Sequence, residues 1–324
     1  MLGAEQSAFA VFFSLAMRQH TTAVKAKGQM IELKDMQLLS ALARHQHFAK
    51  AAQECGISQP AFSMRIRNME EKLGVSIVRR ANRFQGLTEE GMMIVRRARS
   101  ILDDAKALEQ EVAASRGVVT GVLVLGVVPT ATAYAAQLVN SLREAYPRIL
   151  ARVEVTTSLA IQQRLYDGTI DAGITYEDSL GRDLVTVQPL YQEAYVLLAP
   201  EAMVAEFEGE ITWAQAAKLP LSLLDPQMQN RRILDRIFDE LELEPEIVSE
   251  SNGFMSSIVM ARAGSVATIL PRALVDALGE LGGTRVLSLI EPDQLRLICI
   301  ATLDRQPELT TVRALKEVIA AFEQ

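Results

Sequence analysis

Gln59, Ser63 and Arg67 recur four residues apart, the spacing that aligns side chains on one face of an α-helix. An amide, a hydroxyl and a guanidinium on one face can bond the base edges and phosphates of duplex DNA. Glutamine has the further option of reading adenine through paired hydrogen bonds, or of holding a phosphate. Arg79, Arg80 and Arg83 follow closely, with the charge to make phosphate contacts that set affinity and register rather than sequence. Metal and thiol chemistry is sparse by comparison. The three histidines, His20, His45 and His47, have no cysteine at ligand spacing, and Cys55 and Cys299 stand far apart on expected apolar faces. No metal site, disulfide or cofactor is expected, and both thiols read as small buried hydrophobes of a reducing cytoplasm.

The elements that must position these residues are legible around them. Phe48, Ala51, Ala52 and Cys55 predict a short helix, and Gly56 suits its left-handed end. Ser58 can cap the next helix, and Pro60 sits in its first turn, where a missing N–H costs nothing. Phe62, Ile66, Met69 and Leu73 then form one apolar stripe, leaving Gln59, Ser63 and Arg67 on another face. Two helices joined by a glycine-containing turn make a helix-turn-helix, whose second helix enters the major groove. A preceding helix is expected over Leu33–Arg44. Two short strands around Ala81–Gly86 form a wing, and a long helix runs from Thr88 to about Ser115. On it Ile94, Ile101, Leu102, Ala105, Leu108 and Val112 make an apolar seam of near-heptad period, the pattern of a dimerising helix.

Charge is segregated along the chain. The net charge of −7 divides into +7 over the first hundred residues and −14 over the rest, which fits a nucleic-acid module followed by a domain that avoids DNA. Residues 1–30 read as an extension, either preceding a true start at Met30 or holding a short helix. Its apolar run Ala8–Met17 is too short to span a bilayer and has no basic segment before it.

From Gly121 strands and helices alternate. Strands are expected at Val122–Val128, Arg152–Thr157 and Asp171–Thr175, with helices at Thr130–Tyr146 and Leu159–Tyr166, a βαβ pattern of a parallel sheet covered on both faces. A second unit begins near Tyr195–Ala199 and runs through Val266–Leu270. The strand Leu295–Leu303 and helix Thr310–Phe322 return to the first unit, giving two lobes crossed twice by the chain.

The block Phe48-x-x-Ala51-Ala52, Ser58-Gln59-Pro60-Ala61-x-Ser63-x-x-Ile66, Glu70, Leu73-Gly74-Val75 and Leu87-Thr88-x-x-Gly91 resembles the LysR-type transcriptional regulators. Weaker landmarks extend the resemblance over residues 31–324: Pro129-Thr130, Leu165-x-x-Gly168-x-x-Asp171, Pro189-Leu190-Tyr191 and Ala263-Gly264-x-Val266-x-x-Ile269-Leu270-Pro271. It implies an α/β protein: an N-terminal winged helix-turn-helix (31–88), a linker and dimerisation helix (89–117), and a two-lobed periplasmic-binding-protein-like effector domain (118–324). Lobe I would comprise about 118–190 and 296–324, and lobe II about 191–295. The implied partners are promoter DNA, a small-molecule effector, and other copies of the chain, as a homodimer through the linker helix and a homotetramer. RNA polymerase is a further partner that the resemblance admits, and no membrane is implied. Gln59, Pro60 and Ser63 carry over as groove-facing residues, with Ser58 and Arg67 beside them. Three positions depart from the family pattern: Met64 for the usual arginine, Arg79 for a common glutamate, and His47 for a common serine. They alter the expected DNA sequence, not the DNA-binding role.

The resemblance places the effector between the lobes, where strand ends and helix N-termini converge and offer N–H groups to an anion. Thr130 and Thr132 are the first candidates, then Ser158 and Thr175, with Asp225, Gln229 and Thr268 from the second lobe; Thr130 and Ser158 could instead be helix caps. Peroxide-sensing members carry a reactive cysteine pair in the second lobe, but Leu224–Arg231 holds no cysteine here, so thiol sensing by that mechanism is not expected. A solute-binding protein is disfavoured by the basic front module. An enzyme is disfavoured by the lack of a phosphate loop or nucleophile elbow, and by histidines that all precede the ligand domain.

Overall fold

The computed structural model describes residues 30–80, 84–181, 185–304 and 307–322, so the expected extension up to residue 29 and Arg83 lie outside it. Two compact units meet in the chain between Leu102 and Asp103.

The first unit opens with α1 (Leu33–His45), α2 (Phe48–Glu54) and α3 (Gln59–Leu73). Gly56 takes φ 66° in the turn between α2 and α3. Phe62, Ile66 and Met69 of α3 are buried with Leu38, Leu39, Leu42, Ala51 and Ala52, and Phe48 packs edge-on to Phe62 at 5.9 Å between ring centroids. Leu73, expected on the same stripe, is exposed at the end of the helix. The wing is the antiparallel pair β1 (Val78–Arg80) and β2 (Phe84–Leu87). Glu70 of α3 ties it down by accepting hydrogen bonds from Ile77 N (2.9 Å) and Val78 N (3.1 Å).

The long helix is α4 (Glu89–Ala114). Thr88 caps it, its Oγ1 accepting from Gly91 N at 2.9 Å and donating to Ser76 O at 2.6 Å. A Cβ at Gly91 would lie 2.1 Å from Ile77 O, so only glycine lets the wing approach this first turn. Val95 and Ala98 of α4 are buried in the core of the first unit.

The second unit includes the end of α4. Ala107 is buried in its core, Gln110 Oε1 accepts from Thr310 N and Thr310 Oγ1 at 3.0 Å each, and Lys106 Nζ lies 3.1 Å from Asp171 Oδ1. The boundary therefore falls within the helix, ahead of the linker end expected at residue 117, because the last turns of the helix pack as part of the second unit.

The first lobe contains β3 (Gly121–Val127), α5 (Thr132–Ala145), β4 (Ile149–Val155), α6 (Ser158–Tyr166) and β5 (Ala172–Tyr176), with β3 parallel to both β4 and β5. The long strand β6 (Val185–Pro200) follows, then β7 (Glu210–Thr212), α7 (Trp213–Ala216), β8 (Leu221–Leu224) and α8 (Gln229–Glu240). The chain continues through β9 (Ile247–Ser251), α9 (Phe254–Arg262), β10 (Thr268–Pro271), α10 (Arg272–Leu278) and β11 (Thr284–Ile290), and closes with β12 (Leu295–Leu303) and α11 (Thr310–Phe322).

The main sheet has the order β4-β3-β5-β12-β6-β11-β7, with β10 also on β6, and β8 and β9 form a separate parallel pair. It is mixed, not the expected all-parallel sheet. β12 runs antiparallel to β5 and β6, and β10 and β11 run antiparallel to β6. The reason is the double crossing: β6 leaves the first lobe and β12 returns to it, so the two must oppose each other. β6 pairs with β12 from Val185 to Ala194, then with β10 and β11 from Tyr195 to Pro200. The changeover between the lobes thus falls at Glu193–Tyr195.

Candidate nucleic-acid surface and ligand site

In α3 the buried stripe fixes which residues face outward. Gln59, Pro60, Met64 and Arg67 are exposed and Ser63 is half-buried, while Phe62, Ile66 and Met69 are buried. Gln59, Ser63 and Arg67 therefore share the accessible side of a rigid helix, with Met64, 59% exposed, adding an apolar element. Ser58 is committed locally: its Oγ accepts from Ala61 N at 3.4 Å as the helix cap. Arg65, between these residues, turns inward to Glu32 and Asp35 at 3.2 Å each and is not part of the free face. On the wing Arg79 is exposed, Arg80 belongs to β1, and Arg83 lies outside the described residues.

At the lobe changeover, β4, β3 and β5 lie side by side and parallel, so the segments that leave their carboxyl ends share one edge of the sheet. Thr130, after β3, is buried, and its Oγ1 lies 3.1 Å from Tyr176 OH. Tyr176 OH also lies 2.7 Å from Glu193 Oε1. Tyr195, two residues along β6, shares the face of Glu193. Thr130, Tyr176, Glu193 and Tyr195 thus form a buried cluster contributed by both lobes' strands. Burial pushes the Glu193 carboxyl up to about 7, while the Tyr176, Thr130 and Tyr195 hydroxyls pull the other way. The Tyr176 phenol is held well above its ordinary value, first by burial and then by the neighbouring Glu193.

The expected site residues separate on inspection. Thr132 Oγ1 donates to Pro129 O at 2.9 Å within its own turn. Ser158 is not a cap, because Thr157 Oγ1 takes Ala160 N at 3.2 Å; Ser158 Oγ is buried without a partner. Thr175 is adjacent to Tyr176 and so points to the opposite face of β5. Its hydroxyl is buried and unpartnered on the side where Gly173 meets Ile161 of α6. Asp225 Oδ1 accepts from Gln227 N at 2.8 Å as a turn cap, and Gln229 is half-buried at the start of α8. Thr268 is buried and unpartnered, but the parallel bridge Leu221–Ala267 sets it level with Ser222 rather than with Asp225. Sequence reasoning missed Tyr176, Glu193 and Tyr195. The available signal was an acid set in a largely apolar strand run, Tyr191–Ala199.

Neither thiol has the environment of a reactive one. Cys299, opposite Thr175 on β12, is buried with Sγ 3.4 Å from Thr175 O, and burial pushes it up to about 12. Cys55 is raised, again chiefly by burial. Among the described residues no group of three or more His, Cys, Asp or Glu side chains could hold a metal ion, and no helix is long and apolar enough to cross a membrane.

A winged helix-turn-helix unit continued by α4 into a two-lobed α/β domain defines a class, the one-chain regulator with a DNA module and a ligand module. Comparison with known proteins gives the family. Residues 33–92 match the bacterial regulatory helix-turn-helix protein, lysR family, and residues 116–323 match the LysR substrate binding domain. The chain belongs to the LysR family of transcriptional regulators. It is similar to the hydrogen peroxide-inducible genes activator of Haemophilus influenzae, with 27% identity over 83% of this chain and 90% of that one. A Streptomyces viridosporus protein named "Probable hydrogen peroxide-inducible genes activator" shares 35% identity over 78% of this chain and 81% of its own. In fold it resembles a full-length OxyR variant from Pseudomonas aeruginosa, with TM-score 0.70 and 24% identity over 90% of this chain and 95% of that one. It also resembles full-length CbnR complexed with its target DNA, with TM-score 0.61 and 20% identity over 90% and 99% of the two chains.

Proposed function

We propose that this regulator reads promoter DNA through the outward face of α3 and responds to a small molecule held between the lobes of its second unit. The observation that carries the first part is the exposed set Gln59, Ser63, Met64 and Arg67 on a helix whose other side is locked into the core. Gln59 and Ser63 take the base-edge role, Arg67, Arg79, Arg80 and Arg83 the phosphate role, and Pro60 and Ser58 set the helix start. Resemblance to CbnR complexed with its target DNA supports the same use of the fold. In this reading Thr130 and Ser158 are the leading effector contacts, with Thr175, Thr132, Asp225, Gln229 and Thr268 as the further ones. Copies pair through the exposed seam of α4 and assemble into a homotetramer. The protein works in the cytoplasm without catalysing a reaction.

Fluorescence anisotropy on the DNA upstream of the protein's own gene tests the first part. Binding should weaken steeply between low and moderate salt, as phosphate contacts release counterions. Absent or salt-insensitive binding contradicts it. A thermal-shift screen of the full chain against metabolites tests the second, since an effector stabilises the folded lobes by mass action.

A further inference from the structure

Phe62, Ile66 and Met69 anchor α3 in the core of the first unit. With 3.6 residues per turn, Met64 lies about 140–160° round the helix from each of them, so it points almost directly away from that core. Pro60 and Arg67, both exposed, stand beside it at i−4 and i+3. Met64 is 59% exposed and is not part of the core cluster. The helix cannot easily turn to hide it, because the buried stripe holds one side and the Ser58 cap and Gly74, at φ 70°, fix the two ends. Single exposed apolar side chains are common on protein surfaces, but this one occupies the middle of the face that carries Ser63 and Arg67. Glu71, two turns further along the same line, is an exposed acid that phosphates repel. The closest approach to DNA therefore falls in the first half of the helix, where Met64 stands.

A thioether has no donor and is only a weak acceptor. Set against the O6 and N7 of guanine or the N4 amino group of cytosine, it would strip water from polar atoms and return no hydrogen bond. The major-groove edges of the base pairs carry one apolar group, the C5-methyl of thymine. We propose that Met64 reads a thymine by packing its side chain against that methyl group, so that each half of the DNA site requires an A·T pair at this step. The inference rests on the reading that α3 enters the major groove, and it names a base that the helix selects. Gln59 and Ser63 select by hydrogen bonds; Met64 selects by the methyl group alone.

Replacing thymine by uracil removes the methyl group and leaves every hydrogen-bonding atom in place, which makes the test direct. The full chain is titrated by anisotropy against the DNA upstream of its own gene and against duplexes in which each thymine of the bound site is replaced singly by deoxyuridine. At one thymine in each half of the site, the wild type should bind the uracil duplex about 4-fold more weakly, the worth of one buried methyl group. Met64→Ala should bind the parent duplex at least as weakly and should be indifferent to uracil at that same position. Met64→Gln, which keeps the length of the side chain but not its apolar end, should be equally indifferent, and it serves if the alanine variant does not fold. Gln59→Ala should keep the uracil effect. The proposal is overturned if no uracil position weakens the wild type, or if the position that does so weakens the Met64 variants equally, since another residue then meets the methyl group. Either result, with salt-dependent binding to the parent duplex retained, leaves α3 as the DNA-reading helix and removes only the thymine contact. Absent binding to the parent duplex removes both.

Discussion

Glu193 is a carboxyl enclosed by protein, and its titration reports that enclosure. Its folded-state value near 7 lies above the ordinary 4.5, so the folded state holds the proton more tightly than the unfolded chain. The sign follows: the stabilisation is fully present below about pH 4.5, declines as pH rises, and is gone above about 7. The size is on the order of 3 kcal/mol across that window. Tm followed from pH 5 to pH 8 should therefore fall in the wild type more than in Glu193→Gln, with the variant the more stable of the two at pH 8. Parallel pH profiles would show that the carboxyl is solvated. The cluster was poorly legible in the sequence for two physical reasons. A glutamate is almost always a surface residue, so its apolar flanks alone did not mark Glu193 as enclosed. At β5 the expected Thr175 missed the reaching residue by one place, and in a strand one place reverses the face; Tyr176 points to Thr130 and Glu193, and Thr175 points away.

Two elements carry the DNA-binding unit's geometry. The wing closes on α4 where Gly91 leaves 2.1 Å between a notional Cβ and Ile77 O. Gly91→Ala must push strand and helix apart, a cost of about 1–3 kcal/mol. Chemical denaturation should show that loss, and an unchanged midpoint would mean that the wing is not held there. On α4 the residues of the expected seam are either exposed, as Ile101, Leu108 and Val112 are at 42%, 62% and 48%, or half-buried, as Ile94, Leu102 and Ala105 are; the fully buried Val95, Ala98 and Ala107 lie outside it. Ile101→Asp with Leu108→Asp should yield monomers by light scattering while leaving Tm nearly unchanged; an unaltered mass would refute pairing through this face. The helices were legible because their apolar residues recur at helical spacing: α3 begins and ends within a residue of its signals at Ser58 and Gly74, and α11 has the span expected of it. β6 was seen only as Tyr195–Ala199, since Pro189, Gln192 and Glu193 interrupt its apolar run. β7, α7, α10 and β11 were missed. Pairing between distant segments defines the strands among them, and that is invisible to local pattern.

For the whole molecule, charge and exposed apolar surface divide the work. The first hundred residues carry +7 and the remainder −14, so DNA attraction is confined to the front of the chain. The second unit exposes apolar side chains on two edges: Leu150, Val153, Val155 and Leu159 along β4 and α6, and Val248, Met255 and Val259 along β9 and α9. Sheet edges that expose apolar side chains in groups are normally covered by a partner, and further copies of the chain fit a family of multimeric regulators. Leu159→Asp combined with Val259→Asp should lower the assembly size in sedimentation while changing stability by no more than about 0.5 kcal/mol. An undisturbed assembly would remove these edges from the interface.

The central claim is that α3 reads sequence through the face bearing Gln59. The measurement that tests it most directly is anisotropy titration of the full chain and of Gln59→Ala, on the protein's own upstream DNA and on a shuffled duplex, at one fixed salt concentration. Gln59→Ala should lose about 1–3 kcal/mol on the native sequence, roughly 5- to 150-fold in Kd, and almost nothing on the shuffled one. An equal loss on both duplexes would mean that Gln59 only holds phosphate, and would contradict it.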